Sequence, residues 1–171
     1  MTSEERIEGY RRGLDSSSLG FDPELVVRGD SAAEPARAAV QRLLALDRPP
    51  TALVVTNNSM TIGVMRALRE AGLTVPEDMA LVGFDDFEWA DLFHPRLTTI
   101  AQATTQIGEQ AVSMLLSRLA NPGLAVRKVQ LEPKLVHRES CGCRGAPSAL
   151  IVAEADRAAA AELAVPAVDE A

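Results

Sequence analysis

The chain has 171 residues, 47% of them hydrophobic and 24% charged, a balance that supports one soluble domain with a core of its own. A net charge of −7, with no Lys/Arg cluster to offset it, repels phosphate backbones and argues against autonomous nucleic-acid binding. No apolar run approaches the ~20 residues that span a bilayer, and residues 1–13 lack the apolar stretch of a signal peptide, so the expected location is the cytoplasm with no membrane partner.

Residues 3–14 read as a helix. Ser3, Glu4 and Glu5 suit its positive end, and Ile7, Tyr10 and Leu14 fall on one face. SSSLGFDP reads as a loop and residues 24–28 (ELVVR) as a short strand. A second helix spans 33–46, with Ala36, Val40, Leu43 and Leu44 on its buried side, and Pro49-Pro50 ends it. Residues 51–56 (TALVVT) are an unbroken apolar run, as in a strand covered on both faces. Asn57, Asn58 and Ser59 then cap a helix over 60–71 that Gly72 closes. Residues 79–84 (MALVGF) form the next buried strand, followed by Asp85-Asp86. This alternation predicts an α/β fold: a parallel sheet with crossover helices.

Beyond it, 97–102 (LTTIAQ) is extended. Residues 105–119 form an amphipathic helix that aligns Ile107, Ala111, Met114, Leu115 and Leu119. Asn121-Pro122-Gly123 is a turn. Residues 126–138 alternate, with Val129, Leu131, Leu135 and His137 on one side. From 143 to 171 the chain is Ala/Pro/Glu-rich; 149–164 is compatible with a helix, and the segment reads as a tail.

Ligands of an open parallel sheet sit beyond the carboxyl ends of its strands. Three expected strand ends carry polar residues there: Arg28-Gly29-Asp30, Thr56-Asn57-Asn58 and Asp85-Asp86. Asn57 offers a donor and an acceptor and Asp85 two acceptors, which suits a neutral ligand rich in hydroxyls or amides. The same residues equally suit a helix cap and the start of a turn. Catalysis has little support: His94 lies in a Phe-His-Pro loop, His137 in an alternating segment, and no Gly-rich phosphate loop is present. Cys141 and Cys143, with His94 and His137 the chain's two histidines, make a four-ligand metal site a poor fit, so free thiols are expected, with zinc or a redox pair as the lesser alternative and no cofactor.

The string VTNNSMTIGVMRALREAGLTVPEDMALVGFDDFEWADLFHPRLTTIAQ, together with LVHRESCG near the end of the domain, resembles the C-terminal half of the effector domain in the lactose/galactose-repressor family. That domain is similar to periplasmic sugar-binding proteins. The resemblance covers 2–142 and implies a partial type I periplasmic-binding-protein-like domain. Residues 1–101 would be its C-terminal subdomain and 102–142 segments that cross into the N-terminal subdomain. It also implies ligand-binding roles for Arg6, Asn57, Asp85, Gln102 and Trp89, with Phe87 on the same loop and more readily explained by packing. Relatives carry an aromatic after the Gly-Asp of 29–30; Ser31 stands there, so a stacking platform for a sugar ring is not expected.

The function implied is effector sensing, probing a sugar or related molecule, in a bacterial transcriptional repressor. The complete protein would be a homodimer that meets operator DNA through a helix-turn-helix lying before the segment seen here. A soluble sugar-binding module of a transport system is the alternative, and a hydrolase a third.

Overall fold

The computed structural model describes residues 3–143. Helix α1 (Ser3–Ser16) opens on Glu4 and Glu5, whose negative charge favours the positive end of the helix dipole. Helix α2 (Ala33–Leu44), strand β1 (Ala52–Val55), helix α3 (Asn58–Glu70) and strand β2 (Ala80–Phe84) follow in alternation. Strand β3 (Thr98–Ala101), helix α4 (Thr104–Ala120) and strand β4 (Lys134–Val136) complete the described elements. The four strands form one sheet in the order β1-β2-β3-β4. β1 pairs with β2 and β2 with β3 in parallel, with Leu53 opposite Leu81 and Gly83 opposite Thr99. β4 runs antiparallel, with Val136 opposite Thr99.

The architecture is the expected α/β sheet with crossover helices, and it departs from expectation at four places. Residues 24–28 are not a strand. Asp22 accepts from Glu24 N at 2.9 Å and caps a 3-10 turn at Pro23–Leu25, and Pro23 has no N–H to give a ladder. The following residues form no strand, and β1 is an edge of the sheet. Second, β1 is covered on one face only: Val55 is buried, while Val54 is 57% exposed. Both packed helices, α2 and α3, lie on the face of Leu81 and Val55. Third, the alternating stretch 126–138 pairs only over Lys134–Val136, and Val129 and Leu135 stay exposed because no layer covers them. Fourth, that short strand adds an antiparallel edge to a sheet expected to be parallel. The expected tail lies outside the described residues except for Cys143.

The core is aliphatic. Ala36, Val40, Val64, Ala67, Leu68, Met79, Leu81 and Leu97 form one buried cluster between the sheet and the α2–α3 pair. Gly63 sets how close those helices come: a Cβ there would fall 2.0 Å from the carbonyl oxygen of Ala33, an impossible contact with backbone. Gly29 similarly lies against Ala36 and the Met60 sulfur.

Residues 138–140 lock β3 in place. β2 begins its pairing with β3 only at Val82, opposite Thr98. Leu81 would be left unpaired, and Ser140 takes both its groups: Leu81 N donates to Ser140 O at 2.7 Å, and the Ser140 hydroxyl donates to Leu81 O at 2.7 Å. The same hydroxyl accepts from Thr98 N at 2.8 Å. One fully buried side chain thus bridges two strands, as buried polar groups must be satisfied. Glu139 accepts from both Arg96 N and Arg96 Nε. Arg138 forks onto Asp86, with Nη1 to Oδ1 at 2.8 Å and Nη2 to Oδ2 at 3.1 Å, and also reaches Leu97 O at 2.8 Å and Asp91 Oδ1 at 2.6 Å. Bidentate pairs of this kind are shorter and stronger than neutral hydrogen bonds.

The Arg138 hydrogen bond, aided by Thr99, outweighs partial burial and holds the Asp86 carboxyl below its ordinary value. A carboxylate with a depressed folded pKa stabilises the fold above its unfolded pKa, and the gain is lost as pH falls through the folded value. The thermal midpoint is therefore expected to drop on acidification below the ordinary aspartate range, with a shallower drop in Asp86→Asn. At neutral pH, Arg138→Ala should destabilise by roughly 2–3 kcal/mol, because Asp86 and Leu97 O lose a charged partner; denaturant unfolding reads both.

Helix α4 buries no residue, and Val112, Leu115, Leu116 and Leu119 are each more than half exposed. Full burial of such side chains is worth about 1.5–3 kcal/mol each, and a contiguous apolar patch drives association. The 171-residue chain on its own is expected to self-associate. Light scattering should show this, and Leu115→Glu with Leu119→Glu should reduce it without lowering the thermal midpoint. A monodisperse wild-type monomer would contradict the expectation.

Candidate functional site

The carboxyl ends of β1 and β2 open on the same edge of the sheet because the strands are parallel. After β1, Thr56 leads into Asn57, which caps α3: its Oδ1 accepts from Met60 N at 2.7 Å. After β2, Phe84 leads into Asp85, whose backbone stands at φ 71°, a conformation that Asp tolerates better than most residues. Asp85 N donates to Ile100 O at 3.0 Å, so the register of β3 fixes where this residue stands.

Arg6 joins the two ends. Its Nη1 donates to Thr56 O at 3.0 Å, and its guanidinium carbon lies 4.5 Å from the centre of the Phe84 ring, a cation–π distance. The sequence-expected residues Arg6, Asn57 and Asp85 are therefore gathered at one edge, each attached to a strand end or its neighbour. Arg6 Nε is buried and finds no hydrogen-bond partner among the described residues. Gln102, just past β3, donates from Nε2 to Asp85 Oδ1 at 2.5 Å. Arg6 thus ties the ends of β1 and β2 by one hydrogen bond and one ring contact, and Gln102 ties the end of β2 to the segment that follows β3.

Trp89 stands apart from these four. It lies in a 3-10 turn, Glu88–Asp91, is 57% exposed, and packs edge-on to Phe87 with ring centres 6.1 Å apart. Phe87 in turn meets Phe93 edge-on and leans on the core, which is the packing role expected of it. Trp89 and Phe87 line an open groove of about 450 Å³ together with Asn58, Ser59, Ile62, Asp86 and Glu88. The groove lies between the first turns of α3 and the loop that follows β2, and its lining begins one residue past Asn57 and one past Asp85. A second hollow, lined by α4 and 124–127, carries the charged residues Arg118 and Arg127 and none of the residues expected to bind a ligand.

Sequence reasoning treated Asp86 only as the partner of Asp85 and passed over Arg138. Their bidentate bridge holds the loop carrying Phe87 and Trp89 onto β3. The signal was present in LVHRES as a motif, but its partner lies 52 residues earlier, a separation that periodicity does not reach. The expected strand end Arg28-Gly29-Asp30 is not the end of a strand: residues 26–29 pair with no strand, and Asp30 begins a turn at φ 47°.

Residues 1–141 match the family model for the periplasmic binding protein-like domain. The HTH-type transcriptional repressor PurR of Vibrio cholerae serotype O1 is 32% identical over 137 residues, 80% of this chain and 41% of that protein. Among solved structures, the complex of the transcriptional regulator CelR with cellobiose is 32% identical with a TM-score of 0.75, covering 80% of this chain and 42% of that one. A LacI-family transcriptional regulator of Enterococcus faecium with bound ribose is 28% identical with a TM-score of 0.71, covering 79% and 50%. The chain spans about two fifths of the length of the repressor it matches. The family model over residues 1–141, the repressor relative and the two regulator structures agree: the chain belongs to the lactose/galactose-repressor family and corresponds to the C-terminal part of its effector domain.

Proposed function

We propose that this chain supplies one wall of an effector cleft in a bacterial transcriptional repressor, and that Arg6, Asn57, Asp85, Gln102 and Trp89 contact a small polyhydroxylated ligand, a sugar or a close relative of one. The observation that carries the reading is Arg6. A buried guanidinium Nε without an acceptor costs about 1–3 kcal/mol, and it stands where three elements converge on the edge at which α/β sheets bind ligands. The edge offers amide, guanidinium and carboxylate groups suited to hydroxyl recognition, and the carboxylate among them, Asp85, is bonded to an amide rather than to a histidine or a nucleophilic hydroxyl. The sugars bound in two related regulators favour the same ligand class.

In this reading residues 1–101 form one subdomain and 102–142 carry segments that pack with a second, with Gln102 at the crossing. An effector that binds the closed cleft better than the open one shifts the population towards closure. Closure would change the geometry of a homodimer, and with it the affinity for operator DNA held by a separate helix-turn-helix. The whole works in the cytoplasm.

The test is calorimetry on the repressor of family length, with a panel of mono- and disaccharides, polyols and nucleosides. Asp85→Asn is the informative variant. Asn keeps the left-handed backbone and can still accept from Gln102, whereas Ala at φ 71° adds strain. Turning one acceptor into a donor should weaken binding of the cognate effector by roughly 10- to 100-fold while leaving the melting temperature unchanged. Unchanged affinity removes Asp85 from the ligand, and turnover of any panel member would replace sensing with catalysis.

A further inference from the structure

Away from the carboxyl edge, just past β4, His137, Cys141 and Cys143 place three metal-ligating atoms within 4.8 Å of one another. One pair, Cys141 Sγ and His137 Nε2, stands 3.2 Å apart. Local structure builds this cluster. His137 follows the last residue of β4, so the sheet fixes its backbone. Ser140, locked between β2 and β3, fixes the residue before Cys141. Gly142 then takes φ 69° and lies against Pro76, where an added Cβ would come within 3.2 Å of the proline Cβ. A glycine is required there, and the reversal it allows returns Cys143 towards Cys141, whose sulfur accepts from Cys143 N at 3.4 Å. Cys141 is half-buried and Cys143 exposed, so an ion has a path in.

We propose that His137, Cys141 and Cys143 bind one Zn²⁺ ion, with a fourth position open to water or an outside donor. Two thiolates and an imidazole are the donors that thiophilic d¹⁰ ions select over magnesium or calcium. Zinc–sulfur bonds of about 2.3 Å and zinc–nitrogen bonds of about 2.0 Å set tetrahedral ligand atoms roughly 3.5–3.8 Å apart. The cluster needs only side-chain adjustments of about an ångström to meet that spacing. The bound ion displaces the two thiol protons and leaves no redox step to balance. It also closes a loop around Arg138, Glu139 and Ser140, the three residues that lock β3 to β2 and hold Asp86, so occupancy stiffens the frame of the effector site from behind.

Cobalt substitution in the untagged 171-residue chain tests this, with a phosphine reductant and chelator removed beforehand. One equivalent of Co²⁺ should give thiolate-to-cobalt charge-transfer absorption and the visible bands of a tetrahedral ion, and Zn²⁺ should bleach both. Cys141→Ser with Cys143→Ser should abolish the charge-transfer band, His137→Gln should weaken binding at least tenfold, and His94→Gln should change nothing. Zinc should raise the melting temperature of the wild type and not of the double serine variant, whose circular dichroism guards against misfolding. Absence of a charge-transfer band in the reduced chain overturns the proposal, as does binding that survives in the double variant. A chain that loses two hydrogens on air oxidation and takes up no metal after reduction makes the pair a thiol–disulfide couple instead, which also overturns it.

Discussion

Where β2 and β3 run out of each other at Leu81 and Thr98, the backbone groups that remain are taken up by Ser140, and the neighbours of that serine reach the site. Three hydrogen bonds through one buried residue close the gap between strands. Arg138, two residues earlier, grips Asp86 beyond the far end of β2. Glu139 between them holds Arg96 at the approach to β3. A single segment of three residues therefore ties both ends of the central strands in a sheet of four short strands. The cost of leaving such buried groups unmatched exceeds the net gain of any one bond, which is why the segment acts as a unit.

The site inherits its geometry from this arrangement. Asp85 is placed by a backbone bond to β3, by a left-handed turn, and by the anchored residue that follows it. Asn57 is placed by its duty as a helix cap. The two readings of Asn57, cap and ligand contact, are not in competition: Oδ1 caps α3, and the side-chain amide N–H₂ remains available at the edge. Arg6 belongs to a helix that contributes little to the core, and its position depends on the contacts of its own guanidinium with Thr56 and Phe84.

Much of this was legible in the chain itself, because the helices and central strands are encoded locally. Apolar periodicity marked α1 to α4 within a few residues, and the Asn57 cap was readable from its type and place. What escaped was whatever depends on distant partners. ELVVR has the composition of a strand, yet the cap at Asp22 and the proline that follows it turn its start into a 3-10 turn, and no strand pairs with the rest. TALVVT reads as doubly covered, and only the layer count reveals an open face. The fork from Arg138 to Asp86 spans 52 residues, so no local pattern could announce it.

Gly63 has one more consequence. With the α3 backbone pressed onto the carbonyl of Ala33, the two helices touch through main chain, and main chain has no rotamers with which to yield. α2 therefore cannot slide over α3 without a main-chain clash, and the two helices form one stiff piece, whereas α4 begins at Ala103 without a side-chain cap, with Gln102 just before it tied back to Asp85.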